Sequence, residues 1–356
     1  MSPAEYFFLH TNKAYTDHEA VIFIHDKVTQ LRGFIAIHNT NLGPAVGGTR
    51  IQYYKTEEDA LADALRLSRA MTYKCAMAGV PFGGGKAVLM SPKRMTIRQK
   101  NAFLRSYARR LEFLDGHFFT GEDVGVEARD IALLDKHSRS IIGRPKVGGL
   151  PAHWAVLSVS LALEAALQEK FGTESFKGRL FAVKGLGNVG MDLCGLILKR
   201  GGIVVAADIN RKRTELARRQ YPSIRIVPAV SIHKQAVDIF VPCALGNELN
   251  SRTIKELRCA IVCGSANNQL ATSEDGKLLF KRDILYVPDY VANAGGLINV
   301  VSELHAGGYS REHVAKRVEH VKIAVEEILT LSRKTKQPTN VIADKIAEKR
   351  FYKQKK

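Results

Sequence analysis

The sequence predicts an α/β protein in two parts: an N-terminal α/β domain, then a doubly wound parallel sheet, with helices at the C-terminus. Three observations carry this reading. Strand-like and helix-like segments alternate along most of the 356 residues, a length that suits two domains. A glycine-rich turn, Gly185-Leu186-Gly187-Asn188-Val189-Gly190, follows an apolar strand and opens a helix. Beyond residue 312 the apolar spacing becomes purely helical.

The elements follow in order. Residues 20–24 and 31–37 are apolar and rich in β-branched side chains, so they read as strands. Thr56-Glu57-Glu58-Asp59 resembles a capping box, and Leu61, Leu65, Ser68 and Met71 continue at helical spacing. This helix carries Lys74 near its end. A strand at 87–90 and a helix at 97–113 complete the first unit. Glycine and proline crowd residues 143–151, the expected boundary. A helix at 154–170 leads to the strand 179–183, the glycine-rich turn, a helix at 191–200 and the strand 203–207. Further strands are expected at 239–242, 260–263 and 284–287. Val314, Val318, Val321, Val325 and Ile328 mark a helix over 313–331, and another begins near Asn340. The predicted domains are 1–145 and 146–334.

The turn at 185–190 has the full context of a dinucleotide site in a Rossmann domain. Gly185 permits the tight turn, Gly187 the approach of a pyrophosphate, and Gly190 close packing of helix on sheet. Backbone N–H groups of Asn188, Val189 and Gly190 at the helix start would face the phosphates. Asp208 ends the next strand, 18 residues past the last glycine, where a carboxylate holds ribose hydroxyls and repels a 2′-phosphate. The expected cofactor is therefore NAD.

A second segment, Met71 to Lys86, brackets an apolar, glycine-rich stretch between Lys74 and Lys86 with no acidic residue inside it. A lysine in such company sheds its proton more readily, more so beside a second ammonium, and can serve as a base near neutral pH. Gly83-Gly84-Gly85 would let backbone approach a ligand closely. The plainer reading is a helix end and a loop, with Lys86 starting a buried strand.

The bulk composition narrows the function. Apolar residues make up 46% and charged residues 25%, as in ordinary globular proteins. No 18-residue apolar run suggests a membrane span, and residues 1–10 do not read as a secretion signal. The five cysteines form no CxxC pair, so neither metal nor disulfide framework is expected, and the reducing cytoplasm is the natural compartment. The net charge of +18 raises the question of nucleic acid, but the basic residues are scattered and accompany no nucleic-acid-binding motif.

With both segments placed, the chain resembles the amino-acid dehydrogenases that act on leucine, valine, phenylalanine and glutamate. The matching stretches are Leu42–Arg50, the two-lysine segment, Thr120–Gly125, Gly185–Gly190, Pro242–Gly246, Gly264–Leu270 and Pro288–Val300. The resemblance implies NAD-dependent oxidative deamination of an L-amino acid to a 2-oxo acid and ammonia. It implies that Lys74 binds the substrate carboxylate with Gly47, Gly48 and Asn267, that Lys86 is the general base, and that Asp123 shuttles protons. Ala244 and Asn267 join the cofactor residues on the same ground. It further implies a site in a cleft between the domains, a first domain for substrate binding and oligomerisation, return of the helices at about 335–356 to that domain, and a homo-oligomer.

The resemblance also implies that Leu42, Leu297 and Val300 face the substrate side chain. Glutamate-specific members carry a lysine and a serine where Leu42 and Val300 stand, and these residues offer no partner to a side-chain carboxylate, which points to a nonpolar substrate of the leucine or valine type. Gly121, where leucine-type members carry alanine, leaves a phenylalanine- or tryptophan-type pocket open as an alternative. Ala152-His153-Trp154-Ala155 departs from the hydroxyl-bearing stretch that relatives use near the nicotinamide. That departure leaves a third alternative, an impaired relative acting as a binding or regulatory protein.

Overall fold

The computed structural model describes residues 12–352. The N-terminal stretch read for a secretion signal, and the last four residues of the basic tail, lie outside the described residues. Among the described residues no helix is long and apolar enough to cross a membrane. Two compact units are present. One comprises the described residues through Gly149 with Asn299–Arg311 and the described residues from Ala347 on; the other comprises Leu150–Ile298 and Glu312–Ile346.

The first unit is built on a five-stranded sheet of β1 (Ala20–Asp26), β2 (Leu31–Asn39), β3 (Ala45–Gln52), β4 (Gly83–Met90) and β5 (Phe118–Gly121). The order is β1-β2-β4-β3-β5. β1 and β4 run antiparallel to β2, and β3 runs parallel to β4 and β5. Helix α1 (Glu57–Ala78) covers one face and α2 (Ile97–Glu112) the other, with α3 (Ala128–Leu134) and α4 (Pro145–Gly148) following. Side chains alternate across each strand. Ile35, Ala87 and Leu89 meet Phe103, Leu104 and Tyr107 of α2. Phe34, Ala36 and Val88 meet Leu61 and Leu65 of α1. Lys86 shares the parity of Val88 and so faces the α1 side.

The second unit opens with α5 (Pro151–Phe171), β6 (Leu180–Lys184), α6 (Asn188–Lys199), β7 (Ile203–Ala207), α7 (Arg211–Gln220) and β8 (Arg225–Ile226). It continues with β9 (Ile239–Pro242), α8 (Ser251–Glu256), β10 (Ile261–Val262), α9 (Ser273–Lys281), β11 (Leu285–Tyr286) and α10 (Asp289–Ala292). The six strands are all parallel in the order β11-β10-β9-β6-β7-β8. The order reverses between β6 and β9, the switch point where doubly wound sheets take ligands. The chain ends with α11 (Gly295–Val301), α12 (Arg311–Thr335) and α13 (Thr339–Tyr352).

Three local expectations need correction. Strand β4 begins at Gly83 rather than 87, so Lys86 sits within a strand paired on both sides and not at a loop exit. Strands β3 and β5 were not read as strands, because Gly47-Gly48 and Gly121 mask the pattern. Helix α5 starts at Pro151 rather than 154, with proline in the first turn, where its missing N–H costs nothing.

The unit boundaries also differ from the expected ranges. Residues 299–311 group with the first unit, where buried Glu303 accepts from Arg144 N at 2.9 Å and Nε at 3.0 Å. Helix α13 divides at Ala347. Its first half bonds the second unit, through Thr339 to Tyr286 O at 2.6 Å and Tyr290 to Asp344 at 2.7 Å. Its last turns bond the first: Arg350 donates to Ala76 O at 3.0 Å, and Phe351 is buried edge-on to Tyr73 and His38.

Candidate active site

Lys86 is 6% exposed, and its Nζ lies 2.9 Å from Oδ2 of Asp123. Burial holds its pKa below the usual lysine value; Asp123 opposes that shift and the guanidinium of Arg50 adds to it. The cationic push expected of Lys74 comes in the structure from Arg50. Burial alone would raise the pKa of Asp123, but Lys86 and Arg50 outweigh it and hold the carboxyl below its usual range. The pair is thus a carboxylate beside a lysine whose ammonium is destabilised.

Gly48 makes room for this pair. A Cβ at 48 would stand 2.9 Å from Asp123 Cβ and 3.1 Å from Lys86 Nζ. Its nearest contact would be backbone, Glu122 O at 2.6 Å, so glycine here lets β3 pass the loop that carries Asp123. The β3–β4 ladder pairs Val46 with Gly84 and resumes at Thr49 with Ala87, leaving Gly47 and Gly48 paired to β5 only. Thr49 locks this segment from the α2 side, where its hydroxyl meets Tyr107 and Thr120, each at 2.7 Å.

Lys74 is half-buried on α1, one turn past Met71, whose Cγ would be 3.4 Å from a Cβ at Gly47. Eleven residues before it on the same helix, about three turns and so the same face, is Asp63. Asp63 accepts from Arg50 Nη1 at 2.8 Å and from Tyr54 at 2.7 Å. Neither Arg50 nor Asp63 was singled out in the sequence. Helical spacing puts Asp63 on the face of Lys74, but Arg50 joins the face of Gly48 only once β3 is known to be a strand.

The triple glycine requires a correction. Added Cβ atoms at Gly83, Gly84 and Gly85 would strike Asn39 O at 2.1 Å, Thr72 N at 2.1 Å and the Phe118 ring at 2.7 Å. These glycines admit neighbouring protein, not a ligand. Gly121 is similar, since a methyl there would lie 2.8 Å from Ile142 O. Its lost Cβ would point at backbone, so it does not mark an enlarged pocket. Leu42 is half-buried before β3, and Val300 is half-buried beside Gly143. Leu297, also half-buried, belongs to the second unit.

In the second unit the nucleotide fingerprint fits a dinucleotide. Gly185 has φ +101°, and a Cβ there would meet Ala244 N at 2.7 Å, so the loop after β9 demands glycine. Gly190 passes Gly185 O so closely that a Cβ would sit 1.9 Å away. A Cβ at Gly187 would meet nothing within 4 Å, the open space a pyrophosphate needs. No side chain caps the start of α6, so its first N–H groups, from Asn188 to Gly190, remain for phosphate. Asp208 accepts from Leu186 N and Asn210 N, each at 2.7 Å, and Arg213 stands 3.6 Å away. A carboxylate offers about four acceptor positions, so two bonds aim it at the loop and leave capacity for hydroxyls.

Asn267 is exposed, and its Oδ1 accepts from Asn293 Nδ2 at 2.8 Å, which leaves its own amide N–H₂ to donate. In the altered stretch, His153 is exposed and Trp154 is buried, edge-on to each other. Trp154 O lies where Gly295 must be glycine, with a would-be Cβ only 2.0 Å off. Trp154 therefore packs. The hydroxyl present nearby is that of Ser158, one turn on, and it accepts from Gly295 N at 3.1 Å.

These sites can be set against known proteins. Residues 18–140 match the family described as Glu/Leu/Phe/Val dehydrogenase, dimerisation domain. Residues 207–355 match the Glutamate/Leucine/Phenylalanine/Valine dehydrogenase family. Leucine dehydrogenase of Geobacillus stearothermophilus is 40% identical over 339 residues, 94% of this chain and 91% of that one. Phenylalanine dehydrogenase of Caldalkalibacillus thermarum is 39% identical over 345 residues, 95% of this chain and 92% of that one. The crystal structure of L-tryptophan dehydrogenase from Nostoc punctiforme superposes with a TM-score of 0.83 at 39% identity, covering 95% of this chain and 97% of that one.

Proposed function

The chain belongs to the Glu/Leu/Phe/Val amino-acid dehydrogenase family, NAD-dependent oxidoreductases of amino acids, and from that premise we propose oxidative deamination of a nonpolar L-amino acid of the leucine or valine type. One observation supports the chemistry above all: buried Lys86 stands beside Asp123, Nζ to Oδ2 at 2.9 Å.

In this reading Lys74 holds the substrate carboxylate as an ammonium, joined by N–H groups at Gly47 and Gly48, where the β3–β4 ladder is interrupted, and by Asn267. Asp123 takes a proton from the substrate amine. NAD, when bound, accepts the hydride from the substrate α-carbon. Lys86, whose ammonium is disfavoured by burial, gives up its proton and then removes one from the water that attacks the resulting imine. Asp123 then returns the proton it took to the nitrogen of the carbinolamine, and as ammonia leaves it accepts the hydroxyl proton released when the 2-oxo acid forms. Gly185, Gly187, Asn188, Val189, Gly190, Asp208, Ala244 and Asn267 hold the dinucleotide.

Leu42, Leu297 and Val300 are the proposed side-chain pocket. They offer no donor, and an unpaired carboxylate there would be costly, which disfavours glutamate. The aromatic alternative loses its argument from Gly121 but keeps the likeness to tryptophan dehydrogenase. On the description of its first domain as a dimerisation domain, we extend the proposal to a homo-oligomer.

NADH formation measured with leucine, valine, isoleucine, phenylalanine, tryptophan and glutamate at alkaline pH tests the proposal. The branched aliphatic acids should lead. Preference for tryptophan or phenylalanine would replace the substrate assignment, and turnover of glutamate alone would overturn it. Lys86→Ala should lower kcat by about 10³-fold, as expected for a lost general base, with NAD affinity unchanged. A variant that keeps most of its activity would sink the role given to Lys86.

A further inference from the structure

Arg50 has no part in the steps just described, yet it is built into the pair that performs them. It stands on β3 two residues beyond Gly48 and on the same face. Its Nε donates to Asp123 Oδ2 at 2.8 Å, the oxygen that Lys86 Nζ also reaches at 2.9 Å. Its Nη1 donates to Asp63 Oδ2 at 2.8 Å. Asp63 is itself fixed, by Tyr54 at 2.7 Å on the same oxygen and by Arg66 at 2.7 Å on the other. A guanidinium is a rigid planar fork, so anchoring one arm on α1 sets the direction of the Nε–H bond. The four side chains from Lys86 to Asp63 thus form one line across β4, the loop after β5, β3 and α1.

We propose that Arg50, anchored by Asp63, is a positioning residue: it fixes the orientation of the Asp123 carboxylate beside Lys86 and offsets its negative charge, so that Lys86 can release its proton. The proposal rests on the roles given above to Lys86 and Asp123. The charged groups that face Lys86 are Asp123 and Asp63, which favour its ammonium, and Arg50, which disfavours it. Two of these can be changed without touching the pair itself, and they act with opposite sign.

The test is the pH profile of kcat/KM, whose rising limb follows deprotonation of Lys86, in the full-length protein. Arg50→Met should move that limb to higher pH by about one unit and lower kcat at least tenfold, because an opposite charge partner is lost from Asp123. Asp63→Asn should move it to lower pH, by less than Arg50→Met does, since Asp63 acts on Lys86 more weakly than Arg50 does. Arg50→Lys should return the limb toward its original position while kcat stays reduced, since one ammonium cannot span both carboxylates. NAD affinity should be the same in all three, which checks folding independently of activity. If Arg50→Met does not fold, the downward shift in Asp63→Asn and the split in Arg50→Lys still decide. Unmoved limbs, or shifts of the same sign in both charge variants, would overturn the proposal. Failure of the parent reading looks different: Lys86→Ala would then keep its activity, and the limb would persist without Lys86.

Discussion

In Gly83-Gly84-Gly85 each missing Cβ leaves room for protein, whereas in the loop from Gly185 to Gly190 the middle glycine faces nothing at all. Both stretches precede residues on which the chemistry depends, and in sequence both look like places where backbone nears a ligand. The first is a strand interior, paired with β2 and β3, on which α1 rests so closely that Thr72 N occupies the place of a side chain on Gly84. The second is a turn and a helix start, held by the loop after β9 at Gly185 and by its own backbone at Gly190. Glycine in the first stretch brings α1, and with it Asp63 and Lys74, down onto the strand that carries Lys86. Glycine at 187 leaves a vacancy. A triple glycine alone does not distinguish these uses; the strand or turn that contains it does.

The largest expected effect separates them directly. Gly84→Ala puts a methyl 2.1 Å from Thr72 N and 2.6 Å from Ser68 O, both helix backbone. Strand and helix must part, at a cost of roughly 3 kcal/mol, the upper range for overpacking. Denaturant unfolding should show that loss in the midpoint, together with lower turnover because Lys74 and Asp63 ride on the displaced helix. A stable, fully active variant would mean that α1 does not set the geometry of this site.

How much was legible follows the same line. The dinucleotide turn was readable because its meaning is local: strand, three glycines, helix and Asp208 lie within 29 residues. Lys86 stands out in its own segment as a candidate base, but its pairing with Asp123 was legible only through resemblance, since 37 positions separate them and no periodicity links them. Arg50 and Asp63 were missed because their role exists only after β3 is placed beside β4 and α1 across both. β3 itself was hidden by Gly47-Gly48, residues with low strand propensity that the site requires. The assignment of residues 299–311 to the first unit depends on Glu303 meeting Arg144, a contact across 159 residues that nothing local announces.

The second effect is smaller and falls on binding. At Gly187, φ is −71°, which alanine adopts freely, and a Cβ would touch no protein. Gly187→Ala should therefore leave the unfolding midpoint unchanged or slightly raised, by at most about 1 kcal/mol, through a less flexible unfolded chain. The methyl would occupy the space left for the pyrophosphate, so the Kd for NAD, read by fluorescence titration, should rise by about tenfold. A drop in stability with unchanged affinity would give Gly187 the role that Gly84 has, and the contrast between the two stretches would dissolve.

The smallest effect returns to the crowded stretch through the helix residue it touches. Thr72, whose N–H faces Gly84, places its hydroxyl 2.9 Å from His38 Nδ1. His38 is buried, with His18 edge-on to it at 4.9 Å and Phe351 on another side. Burial pushes its pKa down to about 3, and the nearby His18 and Arg69 add to that. The folded state thus binds a proton at His38 less readily than the unfolded chain, whose histidine titrates near 6.5. The stabilising contribution is complete above that value and is lost as pH falls toward 3. The slope should be at most about 1.4 kcal/mol per pH unit, less where solvent reaches the ring. His38→Gln, which keeps a hydrogen-bonding partner for Thr72 without the titration, should flatten the acid limb of stability between pH 6.5 and 5 by about 1 kcal/mol. An unchanged acid limb would show that the α1–β4 contact around Gly84 is insensitive to charge at His38, and that its tightness is steric alone.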